Sequence, residues 1–372
     1  MKILYPDYDN CITNLACSIL KHFGAEPPNK TLPLADKCLN KRYKNVVVLL
    51  LDGMGRNIIE GNLSPDGFFR KNLKGIYSST FPPTTVAATT SMDSGLYPNQ
   101  TAWLGWEGYF KEIDKNVVYF LNTDQDGNNA ADYNVAWTYC PYVTVTERIN
   151  NAGKKAFYIT PFVEPYPKTF DDLCSVIKNL CNEDGEKYIY AYCEEPDHTM
   201  HIKGCFGNDA KESIRELEKR TELLAGEISD TLLIITADHG HIDSKNVSIT
   251  EYPDICECLV RLPSIEPRAL NLFVKEGMGR QLEEAFQKHF KDKFLLIPKE
   301  EVLRTQLFGR GENHSRIEHM LGDYVAVAVD DMSIFNTEEQ KNHFKGVHAG
   351  LTEDEMQIPL IVIEKPAERH SL

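Results

Sequence analysis

The chain lacks any long apolar run. No uninterrupted stretch in its 372 residues approaches the roughly 20 that a transmembrane helix needs, so no membrane span is predicted. The first residues, MKILYPDYDN, place Pro6, Asp7 and Asp9 where a secretory leader would carry its apolar centre. An excess of positive charge is also missing. Forty Lys and Arg against 55 Asp and Glu leave a net charge of −15, which argues against a nucleic-acid polymer as partner, because such sites need a broad basic surface. Small phosphates remain admissible, since bound divalent cations reverse the local field of an acidic cleft. Ten cysteines are present, but none has the two-residue spacing of a zinc or redox pair; only one residue separates Cys256 from Cys258. Scattered thiols in a long chain without a leader are expected to be reduced and mostly buried, in a cytoplasmic protein. No internal repeat or low-complexity segment is visible. The composition, 42% apolar and 26% charged, is that of an ordinary globular protein.

What is there is a series of short β-branched runs, each followed by turn residues and then a helix-like pattern. Asn45–Leu51 stops at Asp52-Gly-Met-Gly55, Lys187–Tyr192 runs into Glu194-Glu-Pro-Asp197, and Thr231–Thr236 runs into Ala237-Asp-His-Gly240. Lys155–Ile159, Tyr324–Val329 and Ile358–Ile363 complete the set. Strands without alternation are buried on both faces, and interleaved with helices they predict an α/β fold with a central, mostly parallel sheet and helices on both faces. Ligands in such folds bind beyond the carboxyl ends of the strands, where three of these strands end in Asp52, Asp197 and Asp238. Two stretches break the rhythm. Residues 100–140 read as an aromatic-rich insertion beside the site, and residues 253–335 as a small α+β insertion, within a single domain spanning 1–372.

Asp197-His-Thr-Met-His201 sets a carboxylate and an imidazole at i and i+4, on one face of a helical turn and able to share a metal. Asp238 and His239 stand together at a strand end, and His348 lies between Gly346 and Gly350. Carboxylate oxygen with imidazole nitrogen suits zinc, and also manganese or iron. Each element alone recurs by chance in many proteins as a helix cap or a hydrogen-bonded surface histidine. Three such strand ends in one cleft point to a metal site.

In order and approximate spacing, Asp52-Gly-Met-Gly, Thr80-Phe-Pro-Pro-Thr-Thr-Val, Gly95-Leu-Tyr-Pro98, Glu195-Pro-Asp197 with His201, Ala237-Asp-His-Gly240 and Gly346-Val-His348 resemble the alkaline phosphatase superfamily, most of all its type I phosphodiesterase/nucleotide pyrophosphatase branch. The resemblance covers residues 45–363. It implies an alkaline-phosphatase-like fold and a site of two divalent metal ions, zinc foremost. One would be held by Asp197, His201 and His348, the other by Asp52, Asp238 and His239. His198 and His241 are expected to stand behind the ligands or at the surface, and His314 and His343 have no motif support.

The nucleophile should be a hydroxyl at a helix N-terminus, beside a cation and facing backbone N–H groups aimed at phosphate. Pro82-Pro83 gives an extended entry, after which Thr84 or Thr85 starts a helix. The family's spacing, three residues after the Phe-Pro proline and ten before the glycine of Gly-Leu-Tyr-Pro, implies Thr85; Thr84 and Thr80 are the rivals. Ala88 stands where many members carry an asparagine that helps bind a phosphate oxygen, which leaves the Val86 N–H and the metals to hold transition-state charge. Thr101-Ala102 replaces a His-Gly found in many members. Trp103 and Trp106 are candidates to stack a nucleobase or line an apolar pocket; the competing reading is that these aromatics form the insertion's own core.

The resemblance thus implies a metal-dependent hydrolase of phosphodiester or phosphoanhydride bonds acting through a phosphothreonine on a small phosphorylated or nucleotide-like substrate. Phosphomonoesterase, phosphonate hydrolase and phosphomutase activities would share the same ligands. A dinucleotide-binding protein built on Gly53 and Gly55 lacks the third glycine.

Overall fold

The computed structural model describes residues 1–367. At its centre lies a six-stranded sheet in the order Leu73–Ser78, Gln357–Lys365, Thr231–Thr236, Asn45–Leu51, Lys187–Cys193, Lys155–Ile159. Every residue of Asn45–Leu51, Lys187–Cys193 and Thr231–Thr236 is buried, as runs without alternation require. The four strands from Lys155–Ile159 to Thr231–Thr236 are parallel. Amphipathic helices pack against them. Phe170–Asn182 opens with a capping box between Thr169 and Asp172 and turns Leu173, Ile177 and Cys181 inward, a stripe of helical period. Among the described residues no helix is long and apolar enough to cross a membrane.

The architecture is α/β, but the sheets are mixed where a mostly parallel one is expected. Gln357–Lys365 runs antiparallel to both its neighbours. An apolar run reports burial and not direction; direction follows from the connection, here the short helix Glu353–Met356 that hands the chain straight into the strand. The edge strand Leu73–Ser78, half-exposed over its first four residues, carries no strong sequence signal. Tyr324–Ala328, expected beside the others, belongs to a second sheet.

That second sheet has seven strands in the order Phe294–Pro298, Tyr324–Ala328, Ala269–Leu272, Ser264–Glu266, Glu107–Phe110, Lys115–Val118, Thr123–Asp124, all paired antiparallel. Residues 107–124 and 264–328 therefore share one sheet, joined where Ile265 pairs with Glu107. Alternation divides its faces: Val325 and Val327 enter one core with Phe110 and Tyr119, while Ala326 and Ala328 enter another with Phe286 and Phe290. Trp103 lies in the first of these cores, 1% exposed, stacked on Tyr119 and donating from Nε1 to the Cys140 carbonyl at 2.9 Å. Its expected place against a substrate is thus corrected: the ring has no free face.

Arg268 and Glu355 link the two sheets. Arg268 precedes Ala269–Leu272, and Glu355 sits two residues before Gln357–Lys365. Both side chains are wholly buried and meet as a fork, Nε to Oε1 at 2.6 Å and Nη2 to Oε2 at 2.8 Å. The remaining guanidinium donors go to the carbonyls of Met332 and Asp330. Glu355 also accepts the Gly350 N–H and the Thr352 hydroxyl, each at 2.7 Å. Bidentate charge-assisted bonds of this kind are strong and geometrically specific, while removing one partner strands a buried charge. Arg268→Met is expected to lower unfolding free energy by about 3–5 kcal/mol, read by urea denaturation of the metal-free protein. A loss below about 1 kcal/mol, the range of an exposed ion pair, would contradict this account.

Candidate metal centre

The two central strands Asn45–Leu51 and Lys187–Cys193 deliver Asp52 and Asp197 side by side. The Asp52 N–H bonds the Cys193 carbonyl at 3.0 Å, and the Asp197 N–H bonds the Asp52 carbonyl at 3.1 Å. Asp197 begins the helix Asp197–Lys203, which brings His201 back one turn later, its Nε2 3.1 Å from Asp197 Oδ2. The neighbouring strand Thr231–Thr236 supplies Asp238 and His239 from the turn that follows it. Asp238 Oδ1 accepts the N–H groups of Gly53 and His239, at 3.1 and 3.0 Å, so Oδ2 is left to face His239 Nε2 at 3.5 Å. His348 arrives on the loop that Glu355 holds through Gly350, with Ala349 in the left-handed region at φ 91°. A side chain at Gly350 would drive its Cβ to 2.6 Å from Arg268 Nη2, which explains the glycine.

The six expected ligands fall into two groups. Asp52, Asp238 and His239 form one, and Asp197, His201 and His348 the other, each with donor atoms within 4.8 Å of one another. The three histidines share a pattern. His239 Nδ1 meets the Gly240 carbonyl at 2.9 Å, His201 Nδ1 the Gly346 carbonyl at 2.8 Å, and His348 Nδ1 the Pro83 carbonyl at 3.2 Å. A carbonyl can only accept, so each Nδ1 carries a proton and each Nε2 is turned toward the carboxylates, the orientation in which proteins present histidines to a metal.

Charge makes the same demand. Burial, followed by the Asp197 charge, raises the Asp52 carboxyl; burial, followed by Asp52, raises Asp238 well above the usual range. Burial likewise acts to raise Asp197, but His201 and His241 hold it well below. Burial pulls the His239 imidazole down, yet Asp238 and Asp52 outweigh it and bring it to about 10. Asp197 Oδ1 and Asp238 Oδ2 are buried without a hydrogen-bond partner, a state that costs free energy unless something positive completes it. The donor set fits divalent cations.

Thr85 is the first residue of the helix Thr85–Ser94. Its hydroxyl lies 3.4 Å from both Asp52 oxygens and 3.3 Å from His239 Nε2. Its rivals are placed differently. Thr84 donates its hydroxyl to Glu266 Oε1 at 2.5 Å, and Thr80 is buried with its hydroxyl unpartnered. The Val86 side chain is buried in the second-sheet core, with its backbone in the first turn of the same helix, and Ala88 is packed in the central core. Trp106 is 38% exposed, and its N–H bonds Glu266 Oε1 at 2.9 Å.

His241 and His198 part company. His198 is exposed and lines a cavity of about 540 Å3 with Lys168, Arg220 and Tyr192. His241 is fully buried with Nδ1 3.0 Å from Asp197 Oδ1, and its donor also groups with Asp197 and His239. Neither of its ring nitrogens finds a hydrogen bond, so it lacks the carbonyl-fixed orientation of the other three. Tyr192 and Glu266 escape the sequence reading. Tyr192 donates its hydroxyl to Asp52 Oδ2; its only sequence signal is the penultimate place in a strand leading to a carboxylate. Glu266 has none, because strand pairing and not spacing brings it to Thr84.

Comparison with known proteins supplies a family. The model of the type I phosphodiesterase / nucleotide pyrophosphatase family matches residues 46–350. No curated protein sequence matches significantly. Among solved structures, murine ectonucleotide pyrophosphatase/phosphodiesterase 5, as an inactive variant in complex with AMP, is similar at a TM-score of 0.66 and 16% identity, over 88% of this chain and 91% of that one. The human protein of the same name gives 0.63 and 16%, over 86% and 87%. Phosphonoacetate hydrolase from Sinorhizobium meliloti, in complex with phosphonoformate, gives 0.61 and 14%, over 87% and 90%. At these identities the likeness is one of fold. The expectation of a cytoplasmic protein is overturned by these matches, whose murine and human members are ecto-enzymes by name. The thiols themselves are as expected, all ten free and most of them buried, but free thiols do not report a compartment. The two Asp/His clusters are those of a metal-dependent hydrolase, and the chain belongs to the type I phosphodiesterase/nucleotide pyrophosphatase family of the alkaline phosphatase superfamily.

Proposed function

We propose that this protein hydrolyses phosphodiester or phosphoanhydride bonds of small, nucleotide-like substrates through a phosphothreonine on Thr85. The observation that carries the reading is the Thr85 hydroxyl at a helix start, within 3.4 Å of Asp52 and His239. Asp52, Asp238 and His239 would hold one divalent metal, and Asp197, His201 and His348 the other, with zinc the best match and manganese or iron the alternatives. When bound, such ions polarise phosphoryl oxygens, stabilise an attacking alkoxide and offset charge on the leaving oxygen. Thr85 Oγ gives up its proton to water and attacks phosphorus in line, its bond to phosphorus forming as the bond to the leaving oxygen breaks. The departing group takes a proton from water. A second water then opens the phosphothreonine, returning the Thr85 hydroxyl and releasing the phosphate product. The N–H of Val86, in the first helical turn, would donate to a phosphoryl oxygen. Tyr192 keeps Asp52 oriented by bonding Oδ2.

Preference for a diester over a monoester rests on charge. The ion pairs of Asp52, Asp197 and Asp238 are with histidines, and Arg268 is consumed by Glu355. Among the described residues no lysine or arginine pairs with these carboxylates, so none is fixed there to answer the extra charge of a monoester. Trp106, exposed beside Glu266, offers a face for an apolar or planar leaving group.

Thr85→Ala is expected to reduce kcat by about 1,000-fold or more while elemental analysis still finds two metal ions per chain; full turnover in that variant would refute the nucleophile. With p-nitrophenyl thymidine monophosphate and p-nitrophenyl phosphate as rival substrates, kcat/KM should favour the diester by about tenfold or more, at least 1.4 kcal/mol in transition-state binding. A preference for the monoester would move the assignment to a phosphomonoesterase.

A further inference from the structure

The residue before the nucleophile does not do what its position invites. Thr84 occupies the N-cap of Thr85–Ser94, with extended backbone at φ −146° and ψ 150°, where a threonine hydroxyl normally accepts an N–H from the first turn. It makes no such bond. Its hydroxyl is instead donated to Glu266 Oε1 at 2.5 Å, across 182 residues of sequence. The same oxygen accepts the Trp106 N–H at 2.9 Å, so Glu266 gathers the nucleophile loop and the aromatic insertion at one point.

The backbone is bent to achieve this. Ile265 has φ 76°, a left-handed conformation that is a real outlier for a β-branched residue and the kind of strain held at functional sites. Gly105 lets the insertion come close enough, since a Cβ there would lie 2.7 Å from Ile265 Cγ2 and 3.0 Å from the Ile265 carbonyl oxygen. Ile265 in turn pairs with Glu107. Two segments remote in sequence are thus held, one of them under strain, to set a single carboxylate oxygen against Thr84.

We propose that Glu266 is a positioning residue: by taking the Thr84 hydroxyl it keeps the first-turn N–H groups of Thr85–Ser94 uncapped and aimed at the phosphoryl group, and it fixes the Thr85 backbone. This rests on the phosphoesterase reading above. Without Glu266, the Thr84 hydroxyl is free to turn back and accept the Ala87 N–H, as threonine caps do, and one anion donor is lost.

The test compares metal-loaded wild type with Glu266→Ala, Glu266→Gln, Thr84→Val and the Glu266→Ala/Thr84→Val double variant. Readouts are kcat and KM for p-nitrophenyl thymidine monophosphate, calorimetric affinity for inorganic phosphate, metal content and Tm. Glu266→Ala is expected to weaken phosphate binding and kcat by about 10- to 100-fold, the scale of one hydrogen bond to a charged group, with two metals retained and Tm undiminished. Glu266→Gln, which still presents an acceptor oxygen, recovers most of the loss. Thr84→Val, which has no hydroxyl to turn back, keeps phosphate affinity near wild type, and the double variant recovers affinity relative to Glu266→Ala, because the loss in that variant comes from the freed Thr84 hydroxyl. Phosphate affinity and kcat within twofold of wild type in Glu266→Ala, or strictly additive losses in the double variant, would overturn the proposal. If wild type cleaves no phosphoester, the functional reading fails by itself, and the phosphate affinities still decide the role of Glu266.

Discussion

Three carboxylates, Asp52, Asp197 and Asp238, are buried together beyond the ends of adjacent parallel strands. Desolvating one carboxylate is expensive, and desolvating three in one cluster is untenable without compensating charge. The surroundings answer that constraint. Three histidines turn their Nε2 atoms inward because a carbonyl claims each Nδ1. Asp238 spends one oxygen on two backbone N–H groups, and Tyr192 steadies Asp52. Enough negative charge still remains for cations to be the natural complement.

The carboxylates come from the central sheet, but much of what surrounds them does not. Glu355 stands at the junction. Its side chain fixes the loop carrying His348 through Gly350, while its backbone carbonyl accepts the Gly240 N–H next to His239, at 2.7 Å in both cases. Arg268, from the second sheet, completes it. One buried ion pair thereby sets the distance between the two histidines, whose rings stack at 3.8 Å. Three successive residues of the nucleophile loop are tied off in different directions: Pro83 to His348, Thr84 to Glu266, Thr85 toward Asp52 and His239.

Strand ends were readable in sequence because burial on both faces leaves an uninterrupted apolar run, and the carboxylates that follow are conspicuous against it. Asp52, Asp197, His201, Asp238, His239 and His348 were reachable from that pattern and the family spacing, and the structure gathers them. The direction of Gln357–Lys365 was not, since an apolar run is the same read either way. Trp103 was misjudged because a large aromatic suits a core and a binding wall equally well; only the packing of Tyr119 and the Cys140 carbonyl decides. Glu266 and Tyr192 stayed hidden because what matters about each is a partner 182 and 140 residues away, and register, not local pattern, makes those meetings. Compartment was inferred from thiols whose pairing depends on geometry.

The seven-stranded sheet is assembled from two separate stretches of chain that meet at a single residue pair, Ile265 with Glu107. The hairpin from Glu107 to Asp124 therefore hangs on the edge of the sheet, while every carboxylate and histidine of the metal groups lies elsewhere. Its inner side chains, Phe110, Val117 and Tyr119, are anchored in the core that also holds Val86. The hairpin is thus a porch, pinned by one joint and a few rings to foundations that gather the metal groups without it.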